Sequence, residues 1–313
     1  MLAYIARRLA AMVPIVVLVG TIVFLLIHLT PGDPAVIMLG PDAPPKAVAQ
    51  LRAELGLDAP LYLQWLRWFQ RVLAGDLGKS IFFGIPVTTT IRQHLVPTVL
   101  LSLLAILIAV GIGVPAGIIS AARRGSAMDQ AVTVLSFLGV SIPEFWLALN
   151  LVLLLAVHLG LFPVAGYAPP SQGLLATLNY LVLPAFTMGF VQSALIARMT
   201  RTAMLDVITQ DYIRTARAKG LPGRRVTLRH TFPNALIAVI TVVGIVFSVM
   251  MGGNVVAETI FTIPGIGQLL FTSVLRRDYP VIQGIVLLIA VTYVVVNLLV
   301  DLAYALVDPR VRY

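Results

Sequence analysis

The chain has 313 residues, 59% of them hydrophobic and only 11% charged, with a mean hydropathy of +0.98. Soluble domains are roughly a quarter charged, and no fold of this size hides so much apolar surface. A disordered chain, a nucleic-acid-binding domain and an ordinary soluble enzyme are therefore excluded, and a polytopic membrane protein remains. The balance of 22 Lys and Arg against 13 Asp and Glu leaves a net charge of +9, and its placement says more than its sum.

A membrane-crossing helix needs ~20 mainly apolar residues. Residues 9–29 supply the first. Arg7 and Arg8 ahead of it resemble the basic start of a signal peptide. The apolar run is longer than the ~7–15 residues of such a segment, and no small-x-small cleavage site follows, so it reads as an uncleaved anchor. Residues 30–96 then form a long polar connection with helical signals of its own. Pro44 and Pro45 precede a run ending near Gly56, and Pro60 precedes another from Leu61 to Ala74. The second run places Leu61, Trp65, Trp68, Phe69 and Val72 at helical spacing, which suits a folded lid on the membrane or a docking surface for an external protein. Gly78-Lys79-Ser80 mimics the end of a phosphate-binding loop, but Leu73 stands where that motif needs glycine.

The second span covers 97–121, with Gly113 and Gly117 at the small-xxx-small spacing that favours close helix contact. The third, 130–157, contains Pro143, read as a kink, followed by Glu144. An unpaired carboxylate at that depth costs about 2.5–3.5 kcal/mol on insertion scales, so Glu144 either serves function or has a partner. The fourth span covers 180–199. Residues 200–234 follow, in which Met204, Ile208, Tyr212 and Ala216 recur every four residues. Arg214, Arg217 and Lys219 near the end suit the helix dipole, and Gly220 is a C-terminal stop. A second short helix is expected over 224–230. Three readings fit this amphipathic, basic segment: an anchor on anionic lipid, a plain topology signal, or a docking helix whose apolar residues enter a partner's groove.

The fifth span, 235–256, ends in Val249-Met250-Met251-Gly252-Gly253-Asn254, with Glu258 beyond. Two methionines give a soft wall and Asn254 both donors and acceptors, which suits either ordinary span packing or, should the protein conduct a solute, the lining of a pathway by Glu144, Met250, Met251, Asn254 and Glu258. The sixth span covers 281–307, with Asp301 in a structural role. If the N-terminus is cytoplasmic, 14 of the 22 Lys and Arg lie inside, and six of the other eight sit in the one long external loop. Positive-inside asymmetry therefore places both termini in the cytoplasm. The chain has no cysteine, which excludes disulfides and thiolate sites. The histidines His28, His94, His158 and His230 lack metal-ligand spacing, and no catalytic motif is present.

One stretch narrows the choice. Tyr212-Ile213-Arg214-Thr215-Ala216-Arg217-Ala218-Lys219-Gly220-Leu221, with Arg229-His230 and Asn234-Ala235 after it, resembles the coupling-loop signature of ABC importer permeases. It is similar to the version in the dipeptide, oligopeptide and nickel permease family, of the first-permease type. In the general pattern E-A-A-x-x-x-G-x9-I-x-L-P, Ala216, Gly220 and Pro233 fall in register. Arg214, Thr215, His230 and Phe232 replace Glu, the first Ala, Ile and Leu, as is usual in the peptide branch. Pro31-Gly32-Asp33-Pro34, Leu55-Gly56-Leu57-Asp58, Gly75-Asp76-Leu77-Gly78, Ser141-Ile142-Pro143-Glu144-Phe145-Trp146, Pro264-Gly265-Ile266-Gly267, Arg277-Asp278-Tyr279-Pro280 and Asp308-Pro309-Arg310-Val311-Arg312 extend the likeness along nearly the whole chain.

The resemblance implies an all-α polytopic membrane protein with six transmembrane helices of the type I ABC importer (MetI-like) permease fold and a helical extracytoplasmic loop after the first span. Its parts are an N-terminal tail and anchor (1–29), the external loop (30–96), a permease core (97–307) holding the 200–234 coupling loop, and a cytoplasmic tail (308–313). It further implies a non-enzymatic subunit in the prokaryotic inner membrane. The expected partners are a second homologous permease, two ABC ATPases that bind ATP and Mg, an external substrate-binding protein and membrane lipid. The cargo would be short peptides, with nickel, glutathione or another small solute as the same-class alternative and a secondary transporter working without an ATPase as the different-class one. Asp211, Tyr212, Ile213, Arg214, Thr215, Ala216, Arg217, Lys219, Gly220 and Leu221 are the implied ATPase-coupling residues. This chain itself is expected to bind no cofactor, metal or nucleic acid.

Overall fold

A computed structural model describes residues 2–29, 32–40 and 42–307. Pro31 of the Pro31–Pro34 motif, the side chains of Arg7 and Arg8, and the terminal 308–313 with Arg310 and Arg312 lie outside the described residues. The described secondary structure is helical, with one isolated bridge between Lys79 and Pro86. The principal helices are α1 (Leu2–Leu29), α2 (Pro34–Leu39), α3 (Pro45–Leu55), α4 (Leu61–Leu73), α5 (Val87–Ala122), α6 (Ala127–Ser141) and α7 (Glu144–His158). They continue as α8 (Leu174–Ile208), α9 (Asp211–Ala218), α10 (Gly223–Met251), α11 (Val255–Ile260), α12 (Ile266–Leu275) and α13 (Tyr279–Val307). Among the described residues α1, α5, α8, α10 and α13 are long and apolar enough to cross a membrane, and α6 with α7 makes a sixth span if the bent pair counts as one.

Three boundaries differ from the sequence expectation. The third span is not a kinked helix over 130–157 but two helices bent by 97°. Pro143 has no N–H to donate and forces the preceding residue out of the helical region, so Ile142 sits extended at φ −74°, ψ 121° and caps α6. The amphipathic run from Met204 to Ala216 is likewise two helices. Met204 and Ile208 close α8, Thr209 and Gln210 break it, and Asp211 opens α9. The short helix expected over 224–230 is the start of the fifth span, because α10 runs from Gly223 through a π-helical stretch at Val226–Thr231.

The chain divides into two compact units. The first comprises 1–96 and 265–294. Here Pro44, Pro45 and Pro60 set the starts of α3 and α4, and Gly56 ends α3 in the left-handed conformation. The aromatic stripe of α4 lies on α1 and does not simply lie on lipid. Trp65 Nε1 donates to Thr21 Oγ1 at 3.0 Å, the Phe24 and Trp68 rings are 5.9 Å apart, and a Cβ on Gly20 would strike Phe69. Gln64 Nε2 donates to the carbonyls of Leu57 and Ala59, which turns its Oε1 to within 3.0 Å of His28 Nε2. Arg52 joins Asp33, the N-cap of α2, to Asp58; the Asp58 hydrogen bond and the two negative charges raise its guanidinium pKa further. Ser80 of the rejected phosphate-loop motif is structural: Asp278 accepts from its Oγ and from the backbone N–H groups of Ile81 and Phe82. This holds Phe82 under the Arg276 guanidinium, 3.4 Å from the ring centroid.

The second unit comprises 97–264 and 295–313, and its core is built on α5, α8 and α10. Gly113 and Gly117 meet α8 so closely that a Cβ would stand 2.7 Å from the Ser193 carbonyl and 2.5 Å from that of Ala197. Gly189 of α8 returns the contact against Ala105 of α5. Without a hydrophobic drive between helices in lipid, such backbone approach maximises dispersion contact.

Candidate functional site

Two places in the second unit gather the residues singled out above. The first is the break in the third span. Glu144 opens α7, where the helix N-terminus favours a carboxylate. Asn254 caps α11: its Oδ1 accepts from the Ala257 N–H at 3.1 Å while its Nδ2 donates to Glu144 Oε1 at 2.6 Å. Both ends of the amide are thereby used, and Glu144 has the partner its depth demands. Gly252 ends α10 and Gly253 follows at φ +87°, a left-handed turn that brings Asn254 round to Glu144. The carbonyl of Met250, in the last turn of α10, accepts from the Gly253 N–H at 3.2 Å and from Ser102 Oγ of α5 at 3.0 Å. A cavity of about 140 Å³ opens beside the pair, bordered by Glu144, Met250, Gly253 and Asn254 with Met188 and Gln192 of α8.

Two of the expected pathway residues stand outside this cavity. Glu258 is fully buried and accepts from Thr98 Oγ1 of α5 at 2.7 Å, tying α11 to α5. Met251 does not border the cavity. Gln192 also borders the cavity and was not singled out; its signal was the one side-chain amide in the fourth span, beside Thr187, Ser193 and Arg198.

The second place is α9. Asp211 begins the helix and Arg217 lies in its last turn, both favourable to the dipole. Gly220 at φ +77° ends it, and Pro222 leads into α10. Ile213 and Ala216 are buried against Val226, with Val207 and Leu221 beside them. These two residues, read as groove contacts for a partner, instead fasten α9 to the ends of α8 and α10. The outward face consists of Asp211, Tyr212, Arg214 and Thr215, with Arg217 and Lys219 also exposed. Arg214 and Asp211 form only an exposed pair at 3.4 Å, a weak contact in water.

A third feature was missed. Asp129 of α6 is buried and accepts from Arg201 Nε at 2.7 Å and Nη2 at 3.0 Å, and also from Ser120 Oγ and the Gly125 N–H. This one carboxylate joins the α5–α6 turn to α8 about two turns before the end of that helix. Its sequence signal was the Ser126-x-x-Asp129 capping pattern, in which Ser126 accepts from the Asp129 N–H. Among the described residues no group of three or more His, Asp and Glu is placed to hold a metal.

The described residues thus form an all-helical protein with five or six candidate membrane spans and a short helix fastened between α8 and α10. The chain belongs to the family of binding-protein-dependent transport system inner membrane components: that family's model matches residues 113–313, and the corresponding N-terminal model matches residues 1–86. It is 45% identical over the full length of both chains to a Brucella abortus protein named as a peptide transport system permease. It is 41% identical to the oligopeptide transport system permease protein AppB of Bacillus subtilis, over all of both chains. With the dipeptide transport system permease protein DppB of Escherichia coli the identity is 39%, over all of this chain and 99% of that one. Among solved structures, a chain of the inward-facing MetNI methionine ABC transporter matches with a TM-score of 0.57 over 71% of this chain and 97% of that one. At 18% identity that likeness shows the fold, which is MetI-like. Permeases of such importers work in general with ATPase subunits, a second permease and a binding protein.

Proposed function

We propose that this chain is a permease subunit of an ATP-driven importer of short peptides and forms half of the translocation pathway in the prokaryotic inner membrane. The observation that carries the reading is full-length similarity to permeases named for peptide, oligopeptide and dipeptide transport. ATP and Mg belong in this reading to two partner ATPases, and this subunit performs no hydrolysis. Cargo is delivered by an external binding protein that docks over the 30–96 region, the 97–307 region forms the core with a second permease, and both termini are cytoplasmic.

We assign coupling to the segment Asp211–Leu221, with its residues divided by position. Asp211, Tyr212, Arg214 and Thr215 face the ATPase. Ile213 and Ala216 pass the motion inward, since a displaced α9 must move α8 and α10, to which they fasten it. Gly220 and Leu221 form the turn that sets the angle of α9, and Lys219 flanks it. Closure of the ATPase pair drives transport only if α9 binds it with different free energy in its two states. Glu144, Asn254 and Met250 border the pathway, with Gln192 opposite.

The test is co-purification. The C-terminally tagged chain, expressed with its genomic neighbours, should elute with an ATPase and a second permease. Tyr212→Ala with Arg214→Glu should lose the ATPase and keep the permease. Uptake of labelled di- and tripeptides by cells bearing the assembly should exceed uptake of free amino acids and of nickel. Elution of the chain alone would overturn the importer reading in favour of a secondary transporter; an intact assembly that takes up nickel but no peptide would overturn the cargo.

A further inference from the structure

A large cavity stands apart from the Glu144–Asn254 pair and opens beside α9. It has a volume of about 1080 Å³ and lies at the end of the spans that carries α9. Its apolar wall is formed by Ile118 and Ile119 of α5, Leu205 and Ile208 of α8, and Leu228 of α10. Four arginines border it: Arg123 and Arg124 from the α5–α6 turn, Arg217 from α9 and Arg224 from α10. No carboxylate borders it, and among the described residues none of the four arginines makes an ion pair. The contrast with their neighbours is informative. Arg201 is held by Asp129 and Arg214 meets Asp211, and neither borders the cavity.

Four like charges around one concavity repel each other unless an anion joins them. The apolar wall is the continuation of the lipid-spanning helices and is poorly served by water. A free phosphate would satisfy the arginines and leave the Ile and Leu wall wet. A molecule with an anionic head and hydrocarbon tails satisfies both, and anionic lipid is abundant where basic segments meet the cytoplasmic leaflet. We propose that this cavity binds an anionic phospholipid, with its phosphate among Arg123, Arg124, Arg217 and Arg224 and its acyl chains along α5 and α8. The site splits the two arginines of α9 by function: Arg214 faces outward and Arg217 faces the lipid. A lipid there touches α9, α10 and the α5–α6 turn together and so stiffens the support of α9. The binding does not depend on the import reading.

The test uses the full chain with whatever subunits co-elute, in mild detergent, by native mass spectrometry. Dioleoylphosphatidylglycerol should be retained and dioleoylphosphatidylcholine should not. At about 1 kcal/mol per cation each arginine accounts for about fivefold, so Arg123→Gln with Arg124→Gln should weaken retention on the order of thirtyfold. Arg123→Lys with Arg124→Lys should keep most of it and serves as the fold-matched control. Several results would overturn the proposal: equal retention of the zwitterionic lipid, indifference to the Gln pair, or competition by glycerol 3-phosphate or inorganic phosphate as effective as the lipid. Retention by the chain alone but not by the assembly would show that a protein partner covers the cavity, and would overturn it as well.

Discussion

Replacing Asp129 by Ala should destabilise the second unit more than any exposed charge change. The carboxylate is 6% exposed and takes hydrogen bonds from Arg201, Ser120 and the Gly125 backbone. Its removal leaves a guanidinium, a hydroxyl and an N–H without their acceptor. Breaking a buried ion pair from one side costs ~3–5 kcal/mol. Arg201 is 28% exposed and regains some hydration, so the expected loss is about 3 kcal/mol, the lower end of that range. Asp129→Asn keeps one acceptor oxygen and should lose less. The assay is a double-mutant cycle of Asp129→Ala and Arg201→Gln, read as unfolding free energy in detergent. A coupling of about 1–3 kcal/mol is expected for groups in one network. Additive effects, with coupling under about 0.5 kcal/mol, would refute the claim that this pair joins the α5–α6 turn to α8.

Gly117→Val should force α5 from α8, because its Cβ would meet a backbone carbonyl that cannot yield; a loss of about 1–3 kcal/mol in the same unfolding assay is expected, against near-neutrality for Gly111→Ala, which meets nothing. Asn254→Asp sets a carboxylate against Glu144 and should reduce transport about tenfold or more, whereas Asn254→Asp with Glu144→Gln restores a donor and an acceptor and should recover most of it, as measured by labelled-substrate uptake in vesicles. Asp278→Ala should release the Ser80–Phe83 turn and raise its rate of proteolytic nicking without changing the cleavage of α4. Gly220→Val places a β-branched residue at φ +77° and should cost about 1–2 kcal/mol locally, seen as faster hydrogen exchange in α9.

Hydrophobic run length is a local property, and it was enough to locate the spans, because lipid requires ~20 apolar residues whatever the neighbours are. Proline and glycine are equally local, so Pro45, Pro60, Gly56 and Gly220 marked helix ends that the structure reproduces. The segment Asp211–Leu221 was legible as a motif together with its stop at Gly220, but not the break at Thr209–Gln210 that begins it. What the motif lacked was direction. Whether Ile213 and Ala216 face a partner or their own fold depends on where Val207, Leu221 and Val226 stand, and that follows from the breaks at Thr209–Gln210 and Pro222. Pro143 was visible, but a bend of 97° in place of a kink depends on what receives the second half. The pairings of Glu144 with Asn254, Glu258 with Thr98 and Asp129 with Arg201 span 110, 160 and 72 residues. No periodicity encodes such distances. Composition and spacing by themselves determined the class of protein and its spans, and marked 200–234 as an amphipathic basic segment, since each depends on neighbouring residues along the chain. Tertiary structure alone decided which polar groups meet, because in a low-dielectric interior each buried charge is settled by whichever partner the fold brings to it.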